Sequence, residues 1–351
     1  MREFELTFDK LGKGLRPRSK QVRNSEHLTE CFNFRVSGTG LEPYSRITQL
    51  FSGVALLPSW PFPQFISTAR YKFLIIRDVL SGEDVVYEVE ADWSLTHIVT
   101  ADYFTFGIGD RWSVADFDEY VLLSSGALMI YRDTVADAFV PTLATATTPR
   151  CKSFCNFKGQ LIGGNVESAW HDQGESDIIW SQIGNVDCTL TRNNEAGFKR
   201  IPFEGEVYQV KRLGNGVVVY CEKGIIGLVP VREPAPTFGF VEILESGLYS
   251  KYAVGGNEFQ QVFVDEEGFL YRIDPEFKLT KLEYDEFTTT LGDIVITHNE
   301  KKNDFYICDE DNSYLLTEFG LSEISESPNS LYWDDELTGI SVVQVDDEAR
   351  L

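Results

Sequence analysis

The sequence predicts an all-β chain folded as a six-bladed β-propeller with an extended basic N-terminal arm. Three observations lead there. The chain holds 25 Phe and 15 Tyr but only 2 Met, a composition that suits pleated, half-buried strand surfaces better than helix seams. Beyond residue 30 almost no window sustains apolar residues at i, i+3, i+4 and i+7 between caps. Strand–turn–strand units recur instead, beginning at Phe73, Tyr120, Gln160, Val217, Val262 and Phe305. Their starts lie roughly 40 to 57 residues apart, the spacing of four-stranded propeller blades.

Within each unit the turns are legible. Glu222-Lys223-Gly224, Glu266-Glu267-Gly268 and Asp311-Asn312-Ser313 each separate two apolar runs, as a hairpin turn does. A further strand precedes most units, with reversals at Gly214-Asn215-Gly216 and at Asn299 to Asn303. Gly214, Gly216, Gly224 and Gly268 are therefore expected as structural turn positions with positive φ. No single hairpin buries both of its faces, so the six units are expected to stack about an axis. A propeller must also join its last blade to its first, and two segments are candidates for the closing strand: EFELTF near the start and ISVVQV from Ile340 to Val345. The organisation expected is an arm with a candidate closing strand over residues 1–45 and the propeller over 46–351. An irregular pair of β-sandwiches is the alternative fold.

With 43% hydrophobic residues the chain carries enough apolar surface for a proper core. The opening MREFELTFDK has no apolar run after its charges, and no stretch approaches the roughly 18 to 20 apolar residues that span a bilayer. Synthesis in a cytosol without membrane insertion is the expectation. The six cysteines (31, 151, 155, 188, 221 and 308) form no CxxC pair, and His27, His97, His171 and His298 offer them no obvious zinc partners. They read as reduced, mostly buried thiols.

The net charge of −24 argues against gripping nucleic acid by its phosphates, which takes clustered Lys and Arg. The charge is uneven. Residues 1–50 carry nine Lys/Arg against six Asp/Glu, whereas residues 301–351 carry three against thirteen. Lys10, Lys13, Arg16, Arg18, Lys20 and Arg23 follow one another with no acidic residue between them, which marks an arm expected to dock on an acidic neighbour rather than on its own propeller. Ser25 to Glu30 is the one stretch of the arm read as a helical turn.

Catalytic chemistry is not apparent. Asp334-Asp335 and Asp346-Asp347 are adjacent pairs, and neighbours on a strand point to opposite faces. His171-Asp172 lacks any nucleophile context. The acidic turns Asp265-Glu266-Glu267 and Asp309-Glu310-Asp311 lack the alternating ligand spacing of a calcium loop. No Gly-rich phosphate loop follows a strand and opens a helix. No catalytic residue, metal or cofactor is expected. Trp60, Trp93, Trp112 and Trp333 are available for sugar stacking, but nothing repeats them from unit to unit.

Two stretches resemble the virion propellers of tailed phages, those of tail-tube, nozzle and hub proteins. In the arm the matching elements are Gly14-Leu15, Leu28 with Asn33, and Gly40-Leu41. The longer match runs through DIIWSQIGN, NEAGFKRIPFEGEVYQVKRLGNGVVVYCEKGIIGL, SGLYSKYAV and VFVDEEGFLYRID, with Trp180, Ser181, Gly184, Gly205, Leu213, Gly214, Gly216, Gly224, Gly247, Gly268 and Phe269 in the pattern. Trp180 is expected to wedge between blades as a large apolar filler. Together the matches cover residues 10–45 and 150–280. Large nozzle proteins carry extra domains for which this chain has no room.

The resemblance implies a structural, non-enzymatic component of a tail or head-to-tail assembly, made in the host cytoplasm and kept in the virion. It also implies a homo-oligomeric ring around the DNA path, six-fold first and three-fold or twelve-fold next, with tail or connector proteins as neighbours. DNA leaving the capsid would pass without specific binding, which suits an acidic surface. The alternative is a propeller that binds a receptor or glycan.

Overall fold

The computed structural model describes residues 14–15, 28, 30–44, 47–49, 64–68, 70–78, 83–98, 111–117, 120–124, 129–133, 138–140, 150–167, 174–191, 194–231, 237–325, 331–333 and 340–342. The chain is all-β and folds as a β-propeller, with a single short helix, α1 (Asp285–Thr288), and one 3-10 turn (Gly174–Ser176) among the described residues. A hairpin of β1 (Phe34–Ser37) and β2 (Gly40–Pro43) comes first, then β3 (Ile47–Gln49).

Four-stranded antiparallel sheets follow in strict chain order. The first is β4 (Gln64–Ser67), β5 (Lys72–Asp78), β6 (Glu83–Val89) and β7 (Leu95–His97); the second is β8 (Ser113–Asp116), β9 (Tyr120–Ser124), β10 (Met129–Asp133) and β11 (Ala138–Val140). The third is β12 (Arg150–Phe157), β13 (Gln160–Glu167), β14 (Asp177–Trp180) and β15 (Gly197–Arg200); the fourth is β16 (Val207–Leu213), β17 (Gly216–Cys221), β18 (Ile225–Val231) and β19 (Thr237–Leu244). The fifth is β20 (Val254–Gly256), β21 (Gln261–Val264), β22 (Leu270–Ile273) and β23 (Leu279–Lys281); the sixth is β24 (Val295–Asn299), β25 (Asp304–Cys308), β26 (Ser313–Leu316) and β27 (Leu321–Glu323). Each of the six units read from the sequence falls in one of these sheets.

Beyond these six lies one three-stranded sheet. β28 (Leu331–Trp333) pairs with β29 (Ile340–Val342), and β29 pairs in parallel with β3, Ser341 opposite Thr48. The closing strand therefore joins a three-stranded sheet built from both ends of the chain rather than completing a four-stranded sheet. ISVVQV supplies the C-terminal partner, and EFELTF lies outside the described residues. The opening strands of the sheets stand side by side: β8 against β12, β12 against β16, β20 against β24, β24 against β28, and β28 against β4.

Second strands are buried end to end, as in β17, β21 and β25. Each is covered on both faces, which is why GVVVYC and QVFV read as unbroken apolar runs rather than alternating ones. Large side chains fill the wedges between sheets. Trp180 of the third sheet meets Phe238 of the fourth edge-on, at 5.3 Å between centroids, and Tyr220 of the fourth meets Phe263 of the fifth at 5.4 Å. The Tyr220 hydroxyl donates to Gln261 Oε1 at 2.7 Å, so this wedge is also polar-locked.

Turn chemistry repeats with the sheets. Asn257 and Asn299 accept backbone N–H groups two and three residues on, between first and second strands. Asp265 and Asp309 likewise accept N–H groups two to four residues on, between second and third strands, and Asp92 and Asp274 do so between third and fourth. These side chains act as backbone surrogates that set the reversal.

The described part of the arm lies on its own propeller, while the basic residues expected to dock on a neighbour lie outside the described residues. Leu15 N donates to Leu321 O (2.7 Å), Glu323 N to Cys31 O (2.8 Å) and Asn33 N to Glu323 O (2.8 Å), so the arm runs along the outer edge of β27. Leu15 and Cys31 are buried in the same core cluster as Leu321 and Phe305. Leu28 sits in a β-bridge with Leu15, not in a helical turn. Arg35 binds Asp304 bidentately at 2.7 and 2.9 Å. Burial pushes the Asp304 carboxyl up, and the Arg35 guanidinium works against that shift. Lys10, Lys13, Arg16, Arg18, Lys20 and Arg23 lie outside the described residues.

Two of the four expected turn glycines have positive φ, Gly214 at +54° and Gly268 at +85°. Gly216 and Gly224 do not, and the reason they are glycine is crowding. A Cβ on Gly216 would stand 2.6 Å from both Leu228 O and Phe277 Cζ, and one on Gly224 would enter the Phe203 ring. At Gly268 both constraints act, since a Cβ would also approach Thr289 Cα at 3.1 Å. Gly268→Val is expected to cost about 1–3 kcal/mol of unfolding free energy, measured by denaturant titration; an unchanged midpoint would contradict this turn assignment.

Candidate functional site

The first strands of all six four-stranded sheets surround one axial cavity of about 410 Å³. Its lining is polar for the interior of a β-protein. Gln64 comes from β4, Cys155 from β12, Gln209 and Lys211 from β16, and Val295 from β24. Arg111 and Trp112 enter just ahead of β8, Tyr252 just ahead of β20, and Glu258 and Glu300 from the turns after β20 and β24. A cavity of this size, with a few converging polar groups, has the form of a small-molecule site.

Arg111 crosses the axis. Its Nη1 donates to Tyr252 O (3.3 Å) and Val254 O (3.2 Å), and its guanidinium lies 5.6 Å from the Tyr252 ring centroid. Burial depresses its pKa. Lys211 is half-buried on β16, and burial first, then the Arg111 charge, lowers its pKa to about 7; Cys155 and Glu300 oppose the shift. The Cys155 thiol in turn is pushed up to about 12 by burial. His298 of β24 is held down to about 4, by burial and secondarily by Lys211, against a hydrogen bond to Asn303. Among the described residues neither Arg111 nor Lys211 has an ion-pair partner within 4 Å, whereas Arg212 is paired with Glu258 at 2.8 Å.

Gln64 completes the wall. Its Oε1 accepts from Trp112 N at 3.0 Å, which orients the amide, and its buried Nε2 has no acceptor in the protein. Trp112 Nε1 donates to Asp84 at 2.6 Å. Trp112 is thus a buried strut and not an exposed stacking platform. Trp93 lies beneath Lys72, 4.6 Å from ring centroid to Nζ. Trp60 and the side chain of Trp333 lie outside the described residues.

Arg111, Lys211 and Gln64 escape sequence reading because nothing local distinguishes them. The one available signal is a lysine set in the apolar run VYQVKRL of an opening strand. The acidic turns have structural tasks: Asp265 accepts from Glu267 N and Phe269 N, and Asp309 accepts from Gly292 N, Asp311 N and Asn312 N. His171-Asp172, Asp334-Asp335 and Asp346-Asp347 lie outside the described residues. Among the described residues no helix is long and apolar enough to cross a membrane.

No protein family and no curated protein matches the chain. Solved structures similar to it include PorZ, a bacterial surface component of the type-IX secretion system of Porphyromonas gingivalis, at 13% identity and a TM-score of 0.47, over 78% of this chain and 39% of that one. The extracellular domain of a putative one-component system from Bacteroides thetaiotaomicron gives 14% and 0.43, over 78% and 38%. A quinonprotein alcohol dehydrogenase-like protein from the same organism gives 11% and 0.43, over 78% and 68%. The chain thus spans about two fifths of the first two.

The depressed lysine carries a pH signature. Folding takes Lys211 from its ordinary 10.5 to about 7, so between those values the unfolded chain binds the extra proton and stability rises with pH. Below about pH 7 the native state bears the full cost of a buried charge facing Arg111 and His298, with Cys155 and Glu300 alongside. Lys211→Met is therefore expected to stabilise the chain in anion-poor buffer, most strongly below pH 7 and progressively less toward pH 10. A difference independent of pH in melting curves would contradict this.

Proposed function

We propose that this chain is a structural, non-enzymatic component of a tailed-phage particle, in the tail or head-to-tail region. Six four-stranded blades and a three-stranded clasp form each subunit in this reading, and the N-terminal arm extends it. The observation that carries the reading is the arm itself. The elements that resemble phage propellers are the ones that dock it: Gly14 has φ +67° at its bridge to Leu321, Leu28 bridges Leu15, Asn33 Oδ1 accepts from Ser325 N at 2.8 Å, and Gly40 closes the β1–β2 turn. In this reading the cations from Lys10 to Arg23, which flank Leu15 in the sequence, bind neighbouring tail or connector proteins.

Exposed apolar side chains support partner-facing surfaces. Phe32 and Phe34 on the arm and Phe319 at the β26–β27 turn are exposed, as are Phe198 on β15 and Val241 on β19. Copies in this reading form a closed ring about the DNA path, six-fold first, with heterologous contacts that return on themselves. The excess of carboxylates lets DNA pass without specific binding. A second reading, a receptor- or glycan-binding propeller, is favoured by the polar axial cavity.

Mass spectrometry and imaging of purified particles encoded with this chain test the first reading. The chain is expected in the particle as a closed ring on the tail axis. Its absence from particles, or its presence as an isolated monomer on a fibre away from the axis, would overturn the proposal.

A further inference from the structure

We propose that the axial cavity binds a small polar molecule through a carboxylate or phosphate group held between Arg111 and Lys211. The inference rests on the binding reading of the cavity and is independent of any role in a particle. Two observations carry it. Two cations line one open cavity in a chain of net charge −24, and among the described residues neither has an ion-pair partner. Like charges placed together away from water are costly unless a counter-charge joins them.

The remaining wall decides the size and polarity of the ligand. At about 410 Å³ the cavity exceeds what a bare ion needs. Asn257 and Gln209 offer amide groups to hydroxyls, and the Tyr252 ring offers an apolar face. An acidic monosaccharide or a sugar phosphate has this combination of one oxyanion and a hydroxylated body. Arg111 is already oriented by two carbonyls, so its other N–H groups reach an oxyanion with little ordering cost. Glu300, exposed at the mouth, disfavours entry of ligands with more than one distant negative group.

Isothermal titration of the full chain with glucuronate, glucose 6-phosphate and glucose tests this at pH 6.5 in anion-poor buffer. At least one of the two acids is expected to bind saturably, and about tenfold or more tightly than glucose, an increment a charge-assisted pair supplies. Lys211→Met is expected to lose that advantage and Lys211→Arg to keep most of it. Binding of glucuronate alone identifies a carboxylate site, and of glucose 6-phosphate alone a phosphate site. Equal binding of glucose would overturn the anion assignment and leave a neutral-sugar site. No binding by any of the three would overturn both the assignment and the binding reading, and undiminished acid binding by Lys211→Met would overturn the assignment of the anion to Lys211.

Discussion

Everything in this fold depends on closing a ring of sheets with strands from opposite ends of one chain. The parallel pairing of β29 with β3 brings Ile340 to Ile47, and β28 stands between β24 and β4 at the same place. The entropic cost of such a closure grows only logarithmically with loop length, so a chain of this size tolerates it. The kinetic consequence is larger. Contacts of such high sequence separation form late, and until they form the first and sixth sheets expose faces meant for neighbours. The arm deals with part of this exposure. By running along β27 it covers an edge strand that would otherwise present unpaired N–H and C=O groups.

Charge is distributed to match. Acidic residues abound, and a good number act as turn acceptors, where they satisfy backbone donors instead of meeting ligands. Arg35 and Asp304 form the partly buried ion pair that ties the arm hairpin to β25. Against this background the two axial cations stand out, because among the described residues Arg111 is held by two carbonyls and the Tyr252 ring, and neither it nor Lys211 has a carboxylate within ion-pairing distance.

The legible parts of the fold were those written locally. Each apolar second strand and its flanking turn, such as Val262 to Ile273 around Gly268, is a contiguous signal whose physics lies within a dozen residues. Trp180 was legible too, since so large an apolar side chain at a strand end needs a wedge to fill. What could not be read depends on distance. Nothing near Leu15 announces that it pairs with Leu321, because its partner strand lies at the far end of the chain. Gly216 and Gly224 looked like positive-φ positions, yet Phe277 and Phe203 explain them, and both rings arrive from other strands or loops. The cavity was hidden for the same reason: Gln64, Arg111 and Lys211 are 47 and 100 residues apart in succession and converge only once the ring is closed.

Ring closure is also the claim most directly open to measurement. Thr48 and Ser341 are Cα partners in the parallel pair, so Thr48→Cys with Ser341→Cys places two thiols across the seam. Under mild oxidation the double variant is expected to run as a faster-migrating, cross-linked monomer on non-reducing gels, reverting on reduction, while each single variant does not. Failure to cross-link in a folded double variant, or cross-linking only between separate chains, would contradict the closure and the propeller account built on it.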